Sequence, residues 1–392
     1  MEHQYDILIR DGRVIDPSQD LDRICTVAIA NRRIAAIDQQ IDVEKGHTVI
    51  DARGLIVTPG LIDLHVHVYT HSPIGLDPDS LCPSGGVTTM LDAGSAGSYN
   101  FGPFRRDIID RAQTQILSLV NLSCIGLAAP NLGELRDRRY ADLHGVVETI
   151  REHSDVAVGV KIRASSHIIG TGQQGWDNLN DAIGAAREAG VWLMVHIGEC
   201  PMSLPELSNA LAPGDCITHC FKAGSTRVTD DDGRIWDDVR SAAERGVIFD
   251  VGHGAGSFNW EVVEAAIEQG FLPTTISTDL HTMNIHGPVY DMPTTMSKFL
   301  MLGVPLETVI EMSTTRPAAI LKRDDEIGTL RVGSIADVAV LEKHEGRYRF
   351  IDSYRRERIG HDLLTAAATI RRGEIVPGGG GTRMRHFADS GN

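Results

Sequence analysis

The feature that most restricts this chain is an alternation: from Gly60 to about Lys322, short apolar runs and amphipathic stretches take turns. The runs GLIDLHVHV, GVTTMLDAG, QILSLVNLSC, VAVGVKIRA, GVWLMVHIG, CITHC, GVIFDVG and TTISTDLH read as eight strands, several beginning after a glycine that would end a helix. Between them, YADLHGVVETIREH, WDNLNDAIGAAREAG, WDDVRSAAERG and WEVVEAAIEQG place apolar residues three and four apart, the helical period. Parallel strands need a crossover between them, and a helix supplies it. Eight such units, in the roughly 250 residues of one barrel, predict an α/β protein whose central domain, residues 59–322, is a (β/α)8 TIM barrel.

Both ends follow another pattern. YDILIRDGRVID, TVAIANRRIAAID and TVIDARGLIV alternate at the strand period, and the same texture returns in IGTLRVGSIADVAVLE and TAAATIRRGEIV. The economical reading is one small β-sandwich domain assembled from residues 1–58 and 323–377. Residues 378–392 begin with a run of four glycines, contain little apolar material, and are expected to form a flexible tail.

Charge and cysteine usage narrow the function. A net charge of −16 argues against a nucleic-acid backbone or an anionic membrane as partner, because both reward clustered cations. The one basic cluster, YRRERIG (354–360), reads as solvated surface. MEHQYDILIRDG lacks the pattern of a secretion signal, and no window reaches the roughly 18 apolar residues of a membrane span, so a cytoplasmic protein acting on a small molecule is expected. Cysteines 25, 82, 124, 200, 216 and 220 are too sparse for a disulfide scaffold, although Cys200 and Cys220 each lie shortly after a histidine that ends a strand. A symmetric homo-oligomer is the default expectation.

In a barrel of this kind, chemistry sits at the C-terminal ends of the strands. His65 and His67 end the first strand one residue apart, so they share a face. Lys161 lies within VAVGVKIRA; His196, His219 and Asp279 end strands five, six and eight. Histidine and carboxylate are metal-ligand chemistries. A lone strand-end histidine is commonly a hydrogen-bonded rim residue, and a lone aspartate commonly caps a helix. Lys161 is harder to dismiss, because a buried ammonium needs an anionic partner or a chemical change such as carboxylation by carbon dioxide.

This ordered set resembles the amidohydrolase superfamily of metal-dependent hydrolases, in its binuclear, carboxylated-lysine branch. PGLIDLHVH, STDLH and GTLRVGSIADVAVL carry the likeness, which runs from about Tyr5 to Val376, and GVKIRAS resembles dihydroorotase-like and deacetylase-like members. The resemblance implies two divalent ions, zinc being expected: His65, His67 and Asp279 hold one, His196 and His219 the other, and carboxylated Lys161 bridges them. It also implies that Asp279 is the catalytic acid–base. Arg163, two residues beyond Lys161 on the same face, is a candidate for a substrate carboxylate, and His253 and His281 for orienting groups or oxyanion donors.

The expected reaction is hydrolysis of an amide or ester bond of a small acylated amino or hydroxy acid, as by a deacetylase. A dihydroorotase-like or hydantoinase-like cyclic amidohydrolase is the first alternative. HIGE (196–199) resembles the HxxE of single-metal deaminases acting on nucleobase-like rings, with Glu199 as proton shuttle, and that is the second. A catalytically silent scaffold is the third, opposed by the presence of all six expected ligands.

Overall fold

The computed structural model describes residues 4–376, except the side chains of residues 82–84. The expected tail, 378–392, lies outside the described residues, as does the side chain of Cys82. The alternating central region forms a parallel sheet of seven strands in sequence order: Leu61–Val66, Val87–Asp92, Gln115–Asn121, Ala157–Arg163, Trp192–His196, Cys216–Thr218 and Ile248–Asp250.

The eighth apolar run is not a regular strand, yet it joins the two edges. Thr275 bridges Asp250 on one side and Leu280 bridges Val66 on the other, both parallel. The amides of Thr274 and Asp279 donate to the carbonyls of Phe249 and His65, each at 2.7 Å. The ring is therefore closed through its eighth segment, which delivers Asp279 beside the first strand. Closure is reinforced from inside by buried Asp63, whose carboxylate accepts from the amides of His65 and Thr278 and from the Thr278 hydroxyl.

Local chemistry sets the helices. Asp142 caps Leu143–Glu152 by accepting from the Gly145 amide at 3.0 Å, and Asn259 caps Trp260–Glu268 through the Val262 amide at 3.1 Å. Gly190, in the left-handed region at φ 71°, ends Gly172–Ala189. Across the sheet, Leu64, Leu91, Leu119, Met194, Cys216 and Ile248 form one buried cluster that draws on six of the seven strands. The Met194 sulfur touches Lys161 at 3.2 Å, so this apolar layer abuts the polar residues above it.

The two chain ends build one eight-stranded sheet. Val338–Ile351 runs antiparallel to Ile56–Pro59, with Val338 opposite Pro59 and Leu341 opposite Ile56. Its apolar cluster takes Ile7, Ile9, Val27 and Val57 from the front of the chain and Leu330, Val338 and Ile370 from the back. Buried Asp16 joins the halves by accepting from the Leu330 amide at 2.7 Å. Strands Val338–Ile351 and Glu357–Arg371 form a long hairpin whose tip reaches the barrel. The basic segment 354–360 at that tip is largely exposed, and its Arg356 and Arg358 pair with Glu261 and Glu264 of a barrel helix.

Candidate metal centre

The six expected ligands form one contiguous group, buried except for half-buried His196. Nε2 of His65 and Nε2 of His67 lie 3.3 and 3.2 Å from Oδ1 of Asp279. Nζ of Lys161 lies 3.3 Å from His65 Nε2. The rings of His65 and His219 are 5.0 Å apart, and His219 Nε2 meets His196 Nδ1 at 2.7 Å. Among the described residues, His65, His67 and Asp279 are the one set of three such side chains whose donor atoms converge tightly enough for a shared ion.

Hydrogen bonds fix which nitrogen faces inward. The Thr218 hydroxyl donates to Asp250 at 2.7 Å, so it must accept from His65 Nδ1–H at 2.8 Å. His65 Nε2 is thereby left with a lone pair directed at Asp279. His219 does the same with a backbone partner: its Nδ1–H donates to the Gly252 carbonyl at 2.6 Å and leaves Nε2 bare. His67 Nδ1 pairs with the Ser95 hydroxyl at 2.8 Å. These are the outer contacts that orient metal-binding imidazoles, and the donor set fits a divalent ion that accepts nitrogen and oxygen.

Electrostatics point the same way. Burial, with the Lys161 charge beside it, holds His65 well below the ordinary histidine range, and burial lowers His219 to about 4. Neutral imidazoles are the ligating form. Burial opposes ionisation of Asp279, but the His67 hydrogen bond and the neighbouring histidines prevail and hold its carboxyl low, at about 2. Burial brings Lys161 down to about 8. Its hydrogen-bond partners among the described residues are an imidazole nitrogen and a thioether, a poor match for an ammonium with three donors.

The backbone is unusual at the same place. His219 and Asp279 both have positive φ, 73° and 50°, a region where non-glycine residues gather at functional sites. Gly252 and Gly254 close over them: an added Cβ would lie 2.3 Å from the Thr218 hydroxyl in one case and 2.4 Å from Asp279 Oδ2 in the other. Only glycine fits where the loop after strand seven crosses the cluster.

The remaining candidates divide. His281 borders the cluster, its ring 6.3 Å from that of His67; its Nδ1 accepts from the Met283 amide, so a neutral ring carries its proton on Nε2. Arg163 is already engaged: Nε and Nη2 grip buried Glu134 at 2.8 and 2.6 Å, and Nη2 also donates to the Pro130 carbonyl. His253 has both ring nitrogens occupied, by the Gly254 carbonyl and by Lys298. Glu199 turns to Lys222 at 2.7 Å and to Ser225, with no hydrogen bond to the cluster. Cys220 is fully buried, while Cys200 is partly exposed with its amide on Thr226.

Sequence reading missed the residues behind the ligands. Thr218 and Asp250 sit in CITHC and GVIFDVG, where a carboxylate at the end of an apolar run was an available signal. Glu134 lies in an irregular segment that gives none.

A closed parallel barrel with a histidine–aspartate–lysine cluster at its strand ends defines a metal-dependent hydrolase class. The model of the amidohydrolase family matches residues 56–373, and the chain belongs to that family. A deacetylase of Agrobacterium fabrum is 40% identical over 325 residues, 82% of this chain and 79% of that protein. Among solved structures, one described as an adenine deaminase superposes with a TM-score of 0.88 at 33% identity, covering 95% of this chain and 99% of that one. Another, described as a dihydroorotase, gives 0.86 at 34% identity over 94% and 97% of the two chains. The fold is that of amidohydrolase barrels and the protein is a hydrolase of that family. Three differently named relatives on one scaffold show that the scaffold alone does not select the substrate.

Proposed function

We propose that this hydrolase is a binuclear deacylase that removes the acyl group from a small N-acylated amino acid or O-acylated hydroxy acid. The observation that carries the reading is Lys161, buried within the histidine–aspartate cluster with no carboxylate among the described residues hydrogen-bonded to it. As the neutral amine it can add to carbon dioxide, forming a carbamate and releasing a proton, which turns an ill-matched cation into an anionic ligand. His65, His67 and Asp279 would then hold one divalent ion, His196 and His219 a second, and the carboxylated Lys161 both. Zinc suits this nitrogen and oxygen donor set. Two such ions, when bound, polarise a carbonyl and lower the pKa of water toward neutrality.

The chain's own residues supply the rest. Asp279, kept ionised beside His67, is placed to accept a proton from the attacking water and return it to the departing nitrogen or oxygen. The His281 Nε2–H supplies a donor toward developing negative charge on the substrate. Thr218 and Asp250 keep the His65 tautomer fixed throughout.

The name of the adenine deaminase structure favours a second reading, in which Glu199 shuttles protons to a ring. The engagement of Glu199 by Lys222 and Ser225, together with the buried lysine, weighs against it. A panel of N-acetyl amino acids, O-acetyl hydroxy acids, dihydroorotate, hydantoin and adenine, offered to zinc-loaded protein, tests the choice. Turnover is expected with the acylated acids, and turnover of adenine alone overturns the deacylase reading.

A further inference from the structure

Outside the cluster, the most unusual charged residue is Lys298. It lies on the helix Met292–Met301, is wholly buried, and spends each of its three donors on a different segment. Nζ reaches His253 Nε2 at 2.6 Å in the loop after strand seven. It reaches the Pro288 carbonyl at 3.0 Å in the segment after Asp279 and His281, and the Ile351 carbonyl at 2.8 Å at the tip of the small-domain hairpin.

The proton positions follow from the partners. His253 Nδ1 faces the Gly254 carbonyl at 3.0 Å, so it carries hydrogen and Nε2 is bare in the neutral ring. Lys298 must therefore donate to Nε2 as well as to two carbonyls, and only an ammonium has three hydrogens. The charge is further accommodated by the rings of Phe258 and Trp260, with centroids 5.6 and 5.9 Å away. His253 stacks on Phe258 at 4.5 Å.

His253 lies between the two residues of its loop that touch the cluster. Gly252 gives its carbonyl to His219, and Gly254 packs against Asp279. The amides of His253 and Gly254 donate to the Ser277 and Thr278 carbonyls, immediately before Asp279. The hairpin tip holds the loop from above: Ser353 donates to the His253 and Gly254 carbonyls, and Tyr354 to that of Gly256.

We propose that Lys298 is a positioning residue for the metal centre, tying the small-domain hairpin to the loops on either side of Asp279 so that Gly252 and Gly254 stay seated on His219 and Asp279. This rests on the reading of the cluster as a metal site, and its test uses no substrate, so failure to find turnover would leave it standing or falling on its own. Lys298→Met removes all three bonds, and His253→Phe removes one of them together with the Nδ1 bond to Gly254 while keeping the stack; both are compared with the parent chain by hydrogen exchange and by zinc titration against a chelator. We expect each variant to speed exchange of the 250–256 amides and to weaken zinc binding, each by about tenfold or more, as loss of an outer orienting contact does. Exchange in the Ala157–Arg163 strand should be unchanged. Should Lys298→Met fail to fold, His253→Phe decides by itself. Parent-like loop exchange and zinc affinity in a folded variant overturn the proposal, as does acceleration spread evenly over the chain.

Discussion

The two halves of the cluster are built differently. Around His65, His67 and Asp279, outer contacts are complete: Thr218 and Asp250 behind one ring, Ser95 behind the other, and a carboxylate already between them. Around Lys161, His196 and His219, a buried amine rests on a thioether and two imidazole nitrogens crowd at 2.7 Å. The first half converges as a cation site would; on the proposed reading the second would do so once Lys161 is carboxylated. On that reading the His65–His67–Asp279 half would fill first.

If that asymmetry is right, the largest effect comes from the first half. Asp279→Ala removes a proposed ligand and the proposed proton carrier together, and turnover of the best acylated acid should fall about a thousandfold or more. His65→Ala and His67→Ala should follow, with little change in melting temperature, because the apolar cluster of Leu64, Leu91 and Leu119 holds the barrel independently. A variant of any of the three with parent-like turnover removes that residue from the centre.

Next comes the half that needs modification. Lys161→Ala should lower zinc content from two ions per chain toward one and cut turnover by about a hundredfold. Small carboxylic acids should restore part of it by occupying the vacated space, whereas Lys161→Arg, cationic at all relevant pH, should not respond. The pH dependence has a defined sign. Carboxylation needs the amine, and burial brings Lys161 to about 8, so activation by bicarbonate and zinc should quicken from pH 6 to 8 and then level. A rate independent of pH across that range would count against carboxylation.

These residues also mark how far sequence reasoning reaches. The paired histidines were legible because strand side chains alternate, and Lys161 because its neighbours are apolar on both sides. The eight-unit barrel followed from periodicity, although the last unit closes the ring through isolated bridges that no pattern distinguishes from a strand. What stayed hidden depends on contacts between distant segments. Lys298 looks like any helix lysine until the hairpin tip, 53 residues on, is laid over it. Arg163 looked free until Glu134 came from an irregular loop to engage it.

A smaller effect tests the completeness of the outer contacts in the first half. Thr218→Val keeps the shape but breaks the relay from His65 to Asp250, leaving a buried carboxylate with one partner fewer. Zinc affinity should fall about tenfold, with KM nearly unchanged, since the contact orients a ligand and does not touch substrate. Unaltered affinity would mean that the imidazole is held by packing alone.

The smallest expected effect bears on whether the asymmetry belongs to a deacylase at all. In a single-metal deaminase the second half of the cluster is unnecessary and Glu199 carries the protons. Here the Glu199 carboxylate is hydrogen-bonded by Lys222 and the Ser225 amide and hydroxyl, and those bonds hold it at about 2 against the opposing effect of burial. What separates it from Asp279 is place: Glu199 is bonded to Lys222 and Ser225, whereas Asp279 lies 3.3 and 3.2 Å from the His65 and His67 nitrogens of the cluster. Glu199→Gln keeps the size and loses the charge facing buried Lys222, outside the cluster, so turnover of an acylated acid should stay within about threefold of the parent. A hundredfold loss would move the proton-transfer role from Asp279 to Glu199 and revive the ring-deaminating reading, leaving Lys161 as the residue in need of another explanation.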